Sequence, residues 1–202
     1  MDILSSNLDG VNRADAANVS DESNDTNSPA MTMTIRALEP DEWQQFRDLR
    51  LAALKSVPGV YGTRYEDALS RTETVWRNTV KGPSNQSFGL FDEQVNGQAL
   101  VGITSVFTWD EDPTGRTAIL ASSFIMDAYR GRHLSRMLYD IRIAWIKAHG
   151  QFTRIVVGHR ASNEPSKRAN QHYGFVQFRR APHVWPDGTT EDEIFYEMKI
   201  GP

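Results

Sequence analysis

The run from Arg116 to His159 constrains this chain more than any other. A β-rich segment, RTAILASSFIM, leads into a loop, DAYRGRH, then a helical stripe, then a second compact apolar run, TRIVVGH (Thr153–His159). In the stripe Leu134, Met137, Leu138, Ile141, Trp145 and Ala148 recur at helical spacing, and Gly150 is a suitable C-terminal stop. Two strands joined through a helix are expected to lie parallel in one sheet, with a right-handed crossover.

The segments on either side fill out the architecture. TIRAL (Thr34–Leu38) reads as a first strand. From Asp41 the residues Trp43, Phe46, Leu49, Ala53 and Leu54 keep helical spacing until Pro58-Gly59 stops it. Ser70 and Glu73, three apart ahead of Val75 and Trp76, predict a capping box for a second helix. Two β-rich runs then flank Asn96-Gly97, a hairpin signal, and EDPTG turns the chain into the strand before the crossover. Beyond His159, a short helix from about Asn163 to Tyr173 precedes GFVQFRR, and EIFYEMKI (Glu193–Ile200) closes the chain as a strand. The predicted order is β-α-α-β-β-β-α-β-α-β-β, an α/β (α+β) fold with a meander and a crossover sharing one mixed sheet.

Composition separates a tail from a body. Residues 1–30 hold six acids against one base, Arg13, and no aromatic. Such a segment buries too little apolar surface to offset its ordering entropy, so it is expected to be disordered. It has neither the basic and apolar regions of a secretory signal nor the arginines of a transit peptide. Met31 or Met33 would each serve as the start of the folded part, residues 31–202. The whole chain carries −4 and the tail −5, which leaves the body near +1, far from the basic field of a nucleic-acid binder. The chain contains no cysteine, which excludes disulfides, a thiol nucleophile and thiolate metal sites. Five scattered histidines show no ligand spacing, and no apolar run is long enough to span a membrane. The body reads as one soluble domain, cytoplasmic, with no metal, no nucleic acid and no membrane among its partners.

The loop DAYRGRHLSR gives the crossover a chemistry. A helix N-terminus offers unpaired amides and a partial positive charge that together favour a pyrophosphate, and Arg130, Arg132 and Arg136 add formal charge around it. An ordinary basic helix start would look the same in isolation. With the strand before it and NEPSKRANQHYGF after it, the region resembles the acetyl-CoA-binding half of a GNAT-superfamily N-acetyltransferase, and the element order resembles that fold over residues 33–200. In the family the loop reads Arg/Gln-x-x-Gly-x-Gly/Ala. Arg130 and Gly131 match, while His133 stands for the first motif glycine and Ser135 for the last small residue. Glycine is required only where φ is positive or where the anion would strike a Cβ. His133 and Ser135 therefore fit if their backbones are helical and their side chains point outward. Asn163, Ser166 and Gly174-Phe175 match the family's second block, and Asn163 is also a natural cap for the short helix, with Pro165 in its first turn.

The resemblance implies roles for particular residues. Phe124 and Ile125 lie on the strand that would run along the pantetheine arm, a strand bulged and splayed in the family, and the Ile125 amide would polarise the thioester carbonyl. Arg130, Gly131, Arg132, His133, Leu134, Ser135 and Arg136 would cradle the phosphates, with Asn163 and Asn170 also contacting the cofactor. Many family members have a tyrosine four residues before the Gly of Gly-Phe, placed to protonate the leaving thiolate. This chain has Asn170 there, which donates a hydrogen bond but no proton, while Tyr173 reads as core. His159, Glu66, Asp67 and Asp127 are candidates for the base that deprotonates an amine, and His159 has the best matched unperturbed pKa. One wall of the acceptor site is expected between Pro58 and Ser87, with Tyr61, Arg64, Tyr65 and Glu66 as candidate lining, Arg64 towards an acceptor carboxylate and Glu66 towards its ammonium. Asp110, Glu111 and Asp112 read as solvated surface. The implied function is acetyl transfer from acetyl-CoA to a primary amine by direct reaction in a ternary complex. A non-catalytic acyl-CoA sensor or interaction module on the same fold is the alternative, favoured by His133, Ser135 and Asn170. A homodimer through the final strand region is the one further partner suggested.

Overall fold

In the computed structural model, which describes residues 32–95 and 97–201, the helical stripes and β-rich runs assemble on one eight-stranded sheet. The expectations for residues 1–30, Met31 and Asn96 lie outside the described residues. The chain runs β1 (Met33–Ala37), α1 (Trp43–Ser56), α2 (Tyr65–Leu69), α3 (Glu73–Val80), β2 (Lys81–Gly82), β3 (Asn85–Asp92), β4 (Ala99–Thr108) and β5 (Thr117–Ile125). It continues through α4 (Ser135–His149), β6 (Arg154–Arg160), α5 (Glu164–His172), β7 (Val176–Val184) and β8 (Thr190–Lys199). The strand order is β1-β3-β4-β5-β6-β8-β7, with β2 on β3; β5 and β6 are parallel and every other pair is antiparallel. This is the mixed sheet that a meander followed by a crossover requires.

Side-chain alternation explains why both faces are covered. Phe88 and Phe91 of β3 stand three residues apart and so face opposite ways. Phe91 meets Trp43, Phe46 and Leu54 of α1 and Trp76 of α3, whereas Phe88 meets Tyr139 and Ile146 of α4. Trp76 is 1 % exposed, and burying a side chain of that size contributes about 3 kcal/mol relative to leaving it in water. Phe46 packs edge-on against it at 6.2 Å between ring centroids.

Local signals hold with two differences. Gly150 ends α4 in the left-handed conformation at φ 69°, and the Asn163 side chain caps α5 by accepting from the Ser166 N–H at 3.1 Å. The cap of α3 is Thr72 rather than Ser70: Thr72 Oγ1 accepts from the Val75 N–H at 3.4 Å. Ser70 is engaged elsewhere, its hydroxyl donating to Asp67 O at the end of α2, a helix the sequence pattern did not reveal.

The feature that positions the site is an opening in the sheet. Pairing of β5 with β6 runs from Thr117 opposite Arg154 to Leu120 opposite Val157, while β6 stays with β8 as far as Arg160 opposite Glu193. On its other side β5 stays with β4, but between Ala121 and Phe124 it carries two residues, Ser122 and Ser123, where β4 has only Thr104. Ser122 takes φ 57°, the left-handed turn of a bulge. The bulge re-aims β5, and the two parallel strands part at their carboxyl ends, where open α/β sheets bind ligands.

Candidate active site

The parted strands and the start of α4 enclose an inner cleft of about 270 Å³, lined among others by Ser122, Ser135, Arg142, His159, Asn163 and Ser166. Met126 N–H donates to Val101 O, so hydrogen-bond alternation turns the N–H and C=O of Ile125, and of Ser123 two residues earlier, away from β4 and towards this opening. Ser123 O there accepts from the Tyr61 hydroxyl at 2.8 Å, and Ile125 O accepts from Arg130 Nε at 2.9 Å. The Phe124 side chain turns the other way into the core under α1 and α3.

At the mouth of the inner cleft the loop before α4 forms an amide cradle. Gly131 has φ 77° and His133 φ 59°. The expectation of a helical backbone at His133 is therefore corrected: this residue adopts the left-handed conformation that the glycine of the motif supplies, at a cost of about 1 kcal/mol for an L-residue. Ser135 is helical as expected. Left-handed residues interleaved with ordinary ones turn successive amides into one concavity, a nest for anions. No side chain caps α4, and among the described residues no acceptor takes the amides of Gly131, His133, Leu134 or Ser135. Arg130, Arg132 and Arg136 are exposed around this nest; Arg130 also pairs with Asp127 at 3.0 Å.

An outer cleft of about 1000 Å³ lies on the other side of the opening, between the α1–α3 wall and the turns at Trp109–Glu111 and Trp185. Tyr61, Ser122 and His159 line both clefts, so the two meet there. His159 is 5 % exposed. Its Nδ1 lies 2.8 Å from Arg160 O, an acceptor, which fixes the proton on Nδ1 and leaves Nε2 as a lone pair. Nε2 has no hydrogen-bond partner among the described residues, and burial pushes the imidazole pKa below its usual value, favouring the neutral ring. Burial likewise raises the Tyr61 hydroxyl.

A buried polar group sits behind the inner cleft. Arg142, 2 % exposed, donates from Nε to Leu138 O at 2.8 Å and from Nη1 to Ser123 Oγ at 3.0 Å, and its guanidinium lies 4.7 Å from the Tyr139 ring centroid. Burial lowers its pKa to about 10, so it remains a cation at neutral pH, with no carboxylate against it among the described residues. The Tyr139 hydroxyl donates to Asn170 Oδ1 at 2.6 Å.

A model of the Acetyltransferase (GNAT) family matches residues 41–175, more than half of the chain. The chain belongs to the GNAT acetyltransferase family. That membership places it among the acyltransferases. No curated protein matches it in sequence. Solved structures do match in fold. A candidate acetyltransferase from Acinetobacter baylyi ADP1 superposes with a TM-score of 0.71 at 19 % identity over 86 % of this chain and 96 % of its own. The yncA protein of Salmonella typhimurium, a candidate acetyltransferase solved with its cofactor acetyl-CoA, gives 0.69 at 20 % identity over 85 % and 95 %. The spermidine N-acetyltransferase of Vibrio cholerae, solved with CoA and spermine, gives 0.65 at 14 % identity over 83 % and 95 %.

In this GNAT protein the residues singled out in the sequence fall into distinct places. Ser135, His159 and Asn163 are brought together in the inner cleft, Ile125 turns its backbone towards it, and Arg130–Arg136 surround its mouth. Tyr61 lines both clefts, but Arg64, Tyr65 and Glu66 line neither, and Asp67 is exposed on α2. Asn170 is fully buried with its oxygen held by Tyr139, and it does not line the inner cleft. Tyr173 stacks on Tyr139 at 4.5 Å and its hydroxyl donates to Asp140, which agrees with a packing role. Asp110 and Glu111, read as surface, form part of the outer cleft. Arg50, Tyr139 and Arg142 escaped the sequence reading. Their signal was an arginine on an apolar stripe: Arg50 stands four after Phe46, and Arg142 four after Leu138 and four before Ile146.

Proposed function

We propose that this chain transfers an acetyl group from acetyl-CoA to a primary amine by direct reaction in a ternary complex, donor in the inner cleft and acceptor in the outer one. The observation that carries the reading is the meeting of the two clefts at Tyr61, Ser122 and His159, the last with a buried Nε2 that has no partner among the described residues. The nest fits a pyrophosphate: the amides of Gly131, His133, Leu134 and Ser135 have no acceptor among the described residues, and Arg130, Arg132 and Arg136 supply counter-charge. Asn163 and Ser166 border the path of the pantetheine arm, whose amides would pair with the open edge of β5 at Ser123 and Ile125.

Bound acetyl-CoA supplies the activated acyl group. The protein aligns it and manages charge and protons. The outward amide of Ile125, or that of Ser123, meets the charge that grows on the carbonyl oxygen. His159 Nε2 accepts the proton that the incoming ammonium must lose before its lone pair attacks. As the new C–N bond forms and the C–S bond breaks, negative charge collects on sulfur beside Arg142 and Tyr139, which line that cleft. Asn170 acts through Tyr139, fixing its hydroxyl. The chain has no cysteine, so no thiol acyl-enzyme intervenes.

Calorimetric titration of the full chain with acetyl-CoA and with CoA, beside an Arg130→Ala plus Arg132→Ala variant, tests the donor site. Saturable binding that the variant weakens, followed by amine-dependent thiol release, is the expected result. Binding without thiol release from any amine would indicate the sensor alternative. A folded protein that binds neither ligand at millimolar concentration would overturn both.

A further inference from the structure

The reaction above leaves Arg50 unused. This residue occupies a core position of α1, 6 % exposed, yet it lines the outer cleft. Its guanidinium lies over the Tyr61 ring at 4.3 Å from the centroid, and its Nη1 is buried with no hydrogen-bond partner among the described residues. Among the described residues no carboxylate pairs with it. Arg71 stands close by on the same wall, half-buried over Trp76 at 5.5 Å, also without a carboxylate. Burial, with Arg71 adding to it, lowers the Arg50 pKa to about 10, a value at which the charge persists at neutral pH. A folded chain does not keep an uncompensated cation out of water for packing, because an apolar side chain would serve better there.

The facing wall has the opposite sign. Asp110, Glu111 and Glu193 line it; of these Glu111 is paired with Arg179, and Glu193 lies 3.8 Å from His183. The outer cleft is therefore polarised, cationic under α1 and α3 and acidic across from them. Tyr61 links the cationic end to the junction: its ring supports Arg50 and its hydroxyl reaches Ser123 O. An anion on Arg50 would thus sit beside the Tyr61 ring, whose hydroxyl reaches the bulged segment of β5.

We propose that the acceptor is a small amino-acid zwitterion, its carboxylate paired with Arg50 and Arg71 and its amine directed at His159. This deepens the acetyltransferase reading and rests on it. A polyamine would bring further cations against two arginines, and a polypeptide N-terminus carries a neutral amide where a free amino acid carries its α-carboxylate. The buried, unpaired fork of Arg50 suits a carboxylate and is completed by it.

The test uses the full chain with saturating acetyl-CoA and follows thiol release. Each of the twenty common amino acids is compared with its carboxamide and its decarboxylated amine, in wild type and in Arg50→Gln and Arg50→Lys. For at least one amino acid kcat/KM should exceed that of both carboxylate-free partners by about tenfold to a hundredfold, as expected for a hydrogen-bonded charge pair. Arg50→Gln should abolish that preference with the acetyl-CoA KM unchanged, and Arg50→Lys should retain part of it. Calorimetry of the same amino acids against CoA-loaded protein reads the site without turnover, and thermal melting confirms that each variant is folded. Equal or faster acetylation of the carboxylate-free amines, or a preference untouched in a folded Arg50→Gln, overturns the proposal and leaves the acetyltransferase reading standing. Amino acids that neither react nor bind to the CoA-loaded protein overturn it as well. Absence of acetyl-CoA binding in the wild type is the separate outcome that removes the acetyltransferase reading, and this proposal with it.

Discussion

Arg142 Nη1 donates to Ser123 Oγ at 3.0 Å, tying the middle of α4 to the bulged segment of β5. The same hydroxyl lies 2.9 Å from Thr104 Oγ1, so Ser123 keeps a partner if the arginine is removed. A buried cation with no counter-ion is a poor source of stability, and an apolar residue of similar volume is often neutral or stabilising in its place. Arg142→Met is expected to melt at or above the wild-type temperature while thiol release falls about a hundredfold, the usual loss for a preorganised electrostatic group. Melting and steady-state rates measured on one preparation check this; a variant that melts lower and reacts normally would make Arg142 structural.

The imidazole at the junction sets an acid limit. Burial places the folded-state pKa of His159 below 6.5, its value in the unfolded chain. Between those two values the unfolded state binds more protons, so stability declines as pH falls through 6.5 and levels off below the folded value. The base is lost at that lower value too. The acid limb of kcat should therefore fall below pH 6.5, and His159→Gln should remove the limb along with about a hundredfold of rate. A pH profile of both proteins reads this directly; an unchanged profile would exclude His159 as the base.

Backbone strain in the nest predicts two opposite responses. A Cβ added at Gly131 meets nothing within 4 Å, so Gly131→Ala costs only the left-handed conformation, about 1 kcal/mol or a few degrees in melting temperature. His133→Gly removes strain of that kind and should melt no lower than wild type. Differential scanning calorimetry separates the two, and equal losses in both variants would contradict the strain assigned to His133.

Arg160 clamps the far wall of the outer cleft. Its Nη1 reaches Asp187 at 2.7 Å and Gly59 O at 3.0 Å, its Nη2 reaches Thr189 Oγ1 at 2.6 Å, and its Nε donates to Glu191. The Thr189 hydroxyl, and after it Arg160, holds the Asp187 carboxyl down at about 2, against 3.8 when unperturbed. A depressed carboxylate contributes stability above its unfolded pKa and loses it as pH falls towards the folded one. The melting temperature of the wild type should therefore drop between pH 4 and pH 2 more steeply than that of Arg160→Met. Parallel slopes would show that the clamp adds nothing to the folded state.

What could be read from the sequence divides along the range of the interactions. The stripes from Trp43 to Leu54 and from Leu134 to Trp145, the α5 cap at Asn163 and the stop at Gly150 are local, and they appear where periodicity and capping chemistry put them. The cap of α3 shifted by two residues because Ser70 and Thr72 are both good caps and the last turn of α2 engages the first. The bulge at Ser122 was implied only by family resemblance, since it exists as a mismatch against β4 and a single strand does not display its own register. His133 hid its left-handed backbone for a related reason: only the geometry of the loop demands it. Arg50 and Arg142 were passed over because a charge is assumed to face water, although both lie in phase with apolar neighbours.

The extra residue at the bulge also couples the opening to the inheritance of the fold. Deleting Ser122 would set Ser123 opposite Thr104 and leave Phe124 opposite Ile103, so β4 and β5 would pair without interruption. Phe124 would stay in the core it shares with Phe46 and Trp76, and its neighbours would keep their faces. A lineage selected for nothing but thermal stability would therefore be free to lose the residue and close the strands. Packing does not demand the opening, and its presence in a distant descendant would testify to retained chemistry.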